Sequence, residues 1–273
     1  MDKHAPIAIY FEHPDWFRAL FAELDRRALP YVRLDARSHS YDVGAAADQF
    51  GLFFNRMSAS AYLRGNGRSI FFTHDYLAHL ERNGTRVING AQAFAYEISK
   101  AAQLSLLRSL GLSCPRSRVI NCVEEASKAA EALGFPVIIK PNIGGRGAGI
   151  VRLNSAAELE RALASSQIDL GIDSTALVQE FIPARGGHIS RVETLGGKFL
   201  YALKIYPSEE NFNLCPAEVC LTENMPSAAT EICLIDAPKK GLRIEGFQPP
   251  AEIIETVERI VREAKIDVGG VEY

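Results

Sequence analysis

A lysine followed by a glycine-rich loop is the feature of this sequence with the clearest chemical potential. Residues 135–153 read FPVIIKPNIGGRGAGIVRL: Lys140 ends an apolar strand, and four glycines follow it, Gly144, Gly145, Gly147 and Gly149. Such a loop exposes backbone N–H groups with no side chains in the way, and the lysine adds a positive charge beside them. The segment predicts a cradle for phosphate oxygens. A plain glycine-rich turn is the alternative that the loop alone leaves open.

The flanks of the loop distinguish it from two common phosphate-binding motifs. A P-loop needs Gly-Lys-Ser/Thr leading into a helix, and a dinucleotide fingerprint needs a glycine loop that opens a helix. Here the apolar residues Ile150, Val151 and Leu153 follow at once. The loop is therefore expected to join two strands as a hairpin.

This strand–loop–strand segment resembles the glycine-rich loop of the ATP-grasp superfamily, most closely that of the RimK-like amino-acid ligases, over about residues 96–273. The resemblance implies an α/β chain with α+β lobes, in which an ATP-grasp fold follows an N-terminal Rossmann-like parallel-sheet domain. It also implies ATP and Mg²⁺ as cofactors. The implied activity is an ATP-dependent carboxylate–amine (or thiol) ligase that forms an acyl-phosphate intermediate.

The resemblance also assigns residues to the nucleotide. Lys100, before a leucine-rich helix, would contact the phosphates together with Lys140 and the loop glycines; alone it would read as a solvated helix lysine. The strand TALVQEFI ends in a hinge whose main chain would bind the adenine edge. The hinge residues are Gln179, Glu180, Phe181 and Ile182.

The strands after the hinge carry the residues expected at the reacting groups. Arg191 and Lys204 match basic positions that would face the acyl phosphate, and Asn213 matches an asparagine that follows them. Where the family has an Asp-x-Arg motif, this chain has Ile189 in place of the acid, so His188 is the candidate for the ribose contact.

The last segment resembles a family motif in which an acid helps to bind magnesium, and Glu272 occupies that position. The family expects a further acid and an asparagine on the next strand, and these are absent. Since the final strand is expected to lack a partner, truncation is favoured over a natural lack of the metal site. A chain ending here is expected to bind nucleotide weakly and to turn over little.

The N-terminal region alternates strands and helices, which predicts a parallel sheet with helices on its faces. Asn55 and Arg56 follow a strand at the edge where such sheets bind ligands. An arginine there suits a carboxylate, whereas a surface ion pair is the alternative. The predicted domains are a substrate-side domain over residues 1–93, a small lobe with its lead-in helix over 94–178, and a C-terminal lobe over 179–273.

Composition sets the remaining limits. The net charge of −3 over 273 residues gives no general basic field for nucleic acid, and no apolar run is long enough to span a membrane. The five cysteines have no C-x-x-C spacing, which argues against disulfides and zinc, so a cytoplasmic location is the default. The expected partners are small carboxylate and amine substrates, and a homodimer is left open.

Three function classes remain: the ligase, a non-catalytic ATP-binding regulatory module of the same fold, and a phosphotransferase that acts on a hydroxyl. The set of basic residues favours the ligase, and the incomplete metal motif favours the module. The sequence does not identify the acyl or acceptor substrate.

Overall fold

The computed structural model describes residues 5–13, 15–44, 50–145, 147–206 and 243–273. Within these ranges the chain builds three four-stranded sheets. No helix in the same ranges is both long enough and apolar enough to cross a membrane.

The first sheet is parallel and is covered by helices on both faces, as the β-α-β order predicts. Its strands are β1 (Ile7–Phe11), β2 (Tyr31–Asp35), β3 (Leu52–Arg56) and β4 (Val87–Ile88), in the order β2-β1-β3-β4. The helical segments are α1 (Arg18–Arg26), a 3-10 helix (Ala59–Arg64) and α2 (Gly67–Arg82). Because strand side chains alternate, Ile9 packs with Phe21 of α1, while Tyr10 packs with Leu77 of α2.

The second sheet is antiparallel and forms a small lobe. The chain enters it through α3 (Ala91–Glu97) and α4 (Lys100–Ser109). The lobe consists of β5 (Ser117–Ile120), α5 (Glu125–Leu133), β6 (Val137–Pro141), β7 (Val151–Leu153), α6 (Ala156–Ala164) and β8 (Ala176–Glu180), with strand order β5-β8-β6-β7. The glycine loop joins β6 to β7, so the predicted hairpin is confirmed.

The third sheet follows a 3-10 turn at Arg185–Gly187 and is also antiparallel. It comprises β9 (Ile189–Leu195), β10 (Lys198–Tyr206), β11 (Arg243–Phe247) and β12 (Val268–Glu272), in the order β11-β10-β9-β12. The amphipathic α7 (Ala251–Glu263) covers one face. There Val192 and Ala202 pack against Val257 and Val261.

The sequence predicts one helix through Phe94 and Leu104, helix caps at Asn121 and Ser155, and a last strand without a partner; three of these four expectations are wrong. The helix expected through Phe94 and Leu104 is broken, because the Ser99 hydroxyl accepts from the Ala102 N–H (3.2 Å) and starts a new helix. Asn121 does not cap α5, which begins at Glu125, whereas Ser155 does cap α6. The last strand has a partner: β12 pairs with β9.

Asn89 ties the first sheet to the third. Its Oδ1 accepts from the N–H groups of Asp267 and Val268, each at 3.0 Å, and its Nδ2 donates to the Val268 carbonyl at 2.6 Å. Arg86 adds an ion pair with Asp267. Asn89 has φ of +51°, a conformation that asparagine tolerates better than most residues. These bonds fix the start of β12 against the N-terminal sheet.

Candidate active site

The predicted nucleotide residues Lys140 and Gln179 lie on the face of the small sheet turned away from α5 and α6, which we call the open face. Val137, Ile139 and Val178 point toward α5 and α6 and form the core of the lobe. Strand alternation therefore turns Lys140 to the opposite face. Gln179 lies opposite Ile138 across the β6–β8 ladder, so it shares that face with Lys140.

Two lysines meet beside the glycine loop without an acidic partner. The Lys100 ammonium, at the start of α4, donates to the carbonyls of Pro141 (2.9 Å) and Asn142 (3.1 Å). Burial and the charge of Lys140 lower the pKa of Lys100 to about 8, and burial lowers the pKa of Lys140. Neither lysine forms an ion pair with any carboxylate among the residues described. Two partly buried cations without counter-ions are suited to a polyanion.

The loop glycines cannot be replaced without movement. A Cβ on Gly144 would lie 3.0 Å from Nζ of Lys100, and one on Gly145 would lie 3.1 Å from Cβ of Ser60. Gly147 and Gly149 both have φ of +71°, which favours glycine. The loop therefore lies close to Lys100 and to the 3-10 helix of the N-terminal domain.

The hinge presents one free amide. The Glu180 N–H donates to the Arg116 carbonyl and the Phe181 N–H to the Pro136 carbonyl, each at 3.0 Å. Ile182 makes no such backbone bond among the residues described, and its side chain is exposed. Of the three amides from residues 180–182, that of Ile182 is therefore the one available to a ligand.

The hinge side chains differ in their engagement. Glu180 accepts from the backbone and guanidinium N–H groups of Arg116, each at 2.7 Å, and these bonds lower the pKa of its carboxyl. The Arg152 guanidinium lies 4.0 Å from the centroid of the Phe181 ring. Buried Oε1 of Gln179 has no hydrogen-bond partner. This orphaned acceptor on the open face is suited to a donor from a ligand.

The third sheet contributes an ionic cluster. Arg191 on β9 bonds to Glu193 at 2.5 Å and to Glu272 of β12 at 2.8 Å. Although burial opposes it, these two carboxylates raise the pKa of Arg191. Glu272, the predicted metal ligand, is therefore an acceptor for Arg191 in this structure.

Arg191 and Lys204 are not brought together. Lys204 pairs with Ser190, so the two lie on the same face, whereas Arg191 is one residue further along β9 and points to the other. The Lys204 ammonium lies 5.2 Å from the centroid of the Phe247 ring, and Phe247 packs on the α7 side. The expectation that both cations face one acyl phosphate does not fit this register.

His188 and Asn213 complete the predicted set. Nδ1 of His188 lies 3.2 Å from the Gly186 carbonyl oxygen, and its ring centroid lies 5.2 Å from that of Tyr206. His188 is two residues before Ser190 and shares its face, not that of Arg191. Asn213 lies outside the described residues.

Sequence reasoning missed two residues that lie beside the candidate site. Buried Asn142 accepts from Ser99 Oγ (3.2 Å) and the Ala101 N–H (2.9 Å), and donates to Asp173 (2.8 Å), which holds the start of α4 against the end of β6. Glu97, the last residue of α3, is exposed, but surrounding protein atoms partly desolvate its carboxyl group. Desolvation raises the pKa of Glu97, while the charges of Arg56, Arg191 and Lys100 oppose the rise.

These features fit ATP better than they fit a metal. The open face provides unpaired cations for phosphates, and the orphaned Gln179 oxygen and the Ile182 amide for a base. No group of three or more His, Cys, Asp or Glu side chains that could hold a metal ion occurs in the described part of the chain. These residues therefore do not form a magnesium site by themselves.

Comparison with known proteins agrees with this site. Residues 99–185 match the family described as "Carbamoyl-phosphate synthase L chain, ATP binding domain". A probable alpha-L-glutamate ligase of Teredinibacter turnerae is 30% identical over 148 residues, which are 54% of this chain and 48% of that protein. The chain thus spans about half the length of this relative.

Solved structures share the fold. A RimK domain ATP-grasp protein from Sphaerobacter thermophilus superposes with a TM-score of 0.67 at 21% identity, covering 98% of this chain and 85% of that one. A D-alanine–D-alanine ligase from Bacillus anthracis, solved with ATP, gives 0.59 at 15% identity, covering 98% and 81%. The predicted fold class is confirmed, since the chain has the fold of these ATP-grasp structures, and the predicted resemblance is supported by the ATP-binding family model over residues 99–185.

Proposed function

We propose that this chain belongs to an ATP-dependent carboxylate–amine (or thiol) ligase that works through an acyl phosphate. The observation that carries the proposal is the pair Lys100 and Lys140, two partly buried cations beside a glycine loop that form no ion pair with a carboxylate of the described residues. The relatives named as ligases support the same reaction class.

In the proposed reaction, a carboxylate oxygen attacks the γ-phosphorus of ATP and ADP leaves. The amine or thiol then attacks the acyl carbon, phosphate leaves, and the nucleophile loses a proton. Lys100, Lys140 and the loop amides would hold the phosphates, where fixed positive charge stabilises the transferring group. Gln179 and the Ile182 amide would hold the base.

Arg191 is the cation of the third sheet that this proposal retains near the reacting groups. Its charge acts on Glu97 at the end of α3, as do the charges of Arg56 and Lys100. Lys204 and His188 would need a different backbone register to join it. Mg²⁺ is proposed to bind with ATP, where phosphate oxygens would supply ligands and Glu272 would exchange Arg191 for the metal.

A non-catalytic nucleotide-binding module is the second candidate. The observation that favours it is the ion pair between Glu272 and Arg191, which occupies both residues with each other (2.8 Å). Small-molecule substrates, a cytoplasmic location and homodimer formation remain proposals under either function.

The deciding experiment measures ADP release with a carboxylate alone, an amine alone, a hydroxyl compound alone, and the acid and amine together. L-Glutamate and D-alanine are the first probes, since both acids occur in the relatives' names. A ligase requires the acid and the acceptor for full turnover, and Lys140→Ala should abolish it. Nucleotide binding without release supports the module, and release with the hydroxyl compound alone supports a phosphotransferase.

A further inference from the structure

Arg56 stands at the position where an α/β sheet binds its ligands. It is the last residue of β3, an inner strand of the parallel sheet, and so lies at the carboxyl edge. The neighbouring Asn55 is buried and engaged, since it donates to the Asn89 carbonyl and accepts from the Met57 N–H. Asn55 therefore has a structural role, which leaves Arg56 as the residue that this edge offers to a ligand.

The Arg56 side chain is held by rings, not by acids. Its guanidinium carbon lies 5.1 Å from the centroid of the Phe17 ring and 5.4 Å from that of Phe54. No hydrogen bond or ion pair from this guanidinium to another described residue is present. Ring contacts fix the plane of the group and leave its N–H donors unused. The surface ion pair considered from the sequence is thus not formed.

The charges around Arg56 do not neutralise it. Burial lowers the pKa of the Arg56 guanidinium, and the acids that act on it are Glu97 of α3 and Glu193 of β9. Glu193 is already bonded to Arg191 at 2.5 Å, and the pKa of Glu97 is raised by desolvation. Glu97 lies on the lead-in helix α3 and Glu193 on the third sheet, so the acids whose charges act on Arg56 come from outside its own sheet.

We propose that Arg56 binds a carboxylate group of a small-molecule substrate, with its planar fork receiving both oxygens. A partly desolvated arginine with free donors has the geometry for bidentate carboxylate recognition. This inference rests on the proposed ligase function, because it assigns a binding residue to the acid substrate of that reaction. It makes Arg56 a binding residue that contacts the acid, apart from the phosphate cradle.

Calorimetry on the 273-residue chain, saturated with a non-hydrolysable ATP analogue, tests the inference. The probes are L-glutamate and D-alanine, each compared with its α-amide. We expect at least one acid to bind about tenfold or more tightly than its amide. Arg56→Gln should weaken that acid at least about tenfold, and Arg56→Lys, which keeps the charge but not the fork, should fall between.

Arg33→Gln is the matched control. Arg33 is an exposed arginine in β2 of the same sheet, and its guanidinium carbon lies 4.0 Å from the centroid of the Phe21 ring. Its substitution removes a similar ring contact at a position other than the end of β3. Acid binding should stay unchanged in this variant. Analogue affinity should be retained in the Arg56 variants, and Arg56→Lys serves if Arg56→Gln does not fold.

The outcomes separate the two proposals. Equal acid affinity in Arg56→Gln and the unsubstituted chain overturns the assignment of Arg56, as does a chain that binds the analogue but neither acid. A chain that binds no ATP analogue contradicts the proposed function itself.

Discussion

In the absence of a ligand, Lys100 and Lys140 lower the stability of the folded protein. Burial removes part of the water around each ammonium, and neither ammonium forms an ion pair with an acid of the described residues. A bound polyphosphate would reverse that cost. The same reasoning applies to Gln179, whose buried oxygen lacks a donor. The missing counter-ions of the two lysines and the missing donor to Gln179 therefore indicate where a ligand is expected to bind.

The first prediction concerns Lys140. Lys140→Ala should weaken ATP binding by ~1.5–3 kcal/mol, the scale of a hydrogen bond to a charged group. Adenosine binding should be retained, because the hinge is untouched. Calorimetry with both ligands checks the prediction.

Lys198→Ala is the control, since Lys198 is an exposed lysine that pairs with Glu258 at 2.9 Å in the third sheet. Its ATP affinity should match that of the unsubstituted chain. An unchanged ATP affinity in Lys140→Ala would remove Lys140 from the phosphate site.

The second prediction concerns pH. With its pKa at about 8, Lys100 is charged near neutral pH and loses its proton as the pH rises through that value. Phosphate oxygens favour the charged form of Lys100. The contribution of Lys100 to ATP affinity should therefore be constant below about pH 7, and the affinity should fall above about pH 8 by at most about tenfold per pH unit. Calorimetry across roughly pH 6.5–9.5 measures this.

Lys100→Arg should flatten the fall, because an arginine remains protonated in this range. If the slope is the same in both proteins, Lys100 is not the titrating group.

At the scale of elements, the glycine loop carries the third prediction. Gly147→Ala forces a Cβ into a left-handed backbone and obstructs close approach to phosphates. ATP affinity should fall at least about tenfold, whereas the free energy of unfolding should fall by only about 1–2 kcal/mol. Calorimetry and urea unfolding give the two quantities.

Gly84→Ala is matched in strain, since Gly84 has φ of +82° and open space around its Cβ position, in the turn between α2 and β4. It should lose similar stability and keep its ATP affinity. If Gly147→Ala loses stability alone, the loop is a structural turn.

Elements also show how much the sequence could predict. The β6–β7 hairpin and the parallel first sheet were predictable, because apolar alternation and glycine spacing are local signals. The faces of Arg191 and Lys204 were not, because each depends on cross-strand register between β9 and β10. The family resemblance matched residues by their order along the chain. It could not show that Arg191, one position beyond the cross-strand partner of Lys204, points to the opposite face of the sheet.

The contacts between residues of the candidate site were even harder to predict from the sequence. Asn142 lies in the glycine-rich segment, but its bonds to Ser99 and Asp173 join residues about 30 to 40 positions apart. The break at Ser99 was hidden because the apolar spacing of α3 continues into α4. A serine followed by a lysine and small residues was the local signal for a new helix start.

At the scale of the whole molecule, Asn89 and β12 carry the fourth prediction. Asn89→Gly keeps the positive φ at low cost but removes three hydrogen bonds to residues 267–268. The free energy of unfolding should fall by about 1–3 kcal/mol, because the backbone groups of β12 lose buried partners. Urea unfolding measures the change.

Asn83→Gly is the comparison, since the Asn83 side chain donates to the His79 carbonyl within the end of its own helix. We expect it to cost less than about 1 kcal/mol. Equal losses in the two variants would mean that Asn89 does not join the first and third sheets in solution.

The bonds from Lys100 to the carbonyls of Pro141 and Asn142 have one more consequence. They fasten α4 to the strand that bears Lys140, so a movement of the small lobe would carry both lysines with it. Arg56 belongs to the N-terminal sheet instead. A rotation between these bodies would change the gap between acid and phosphate without altering the grip on the nucleotide. Under the proposed function, an open conformation would bind ATP while keeping it apart from the acid. ATP hydrolysis would then be avoided until the acid is bound.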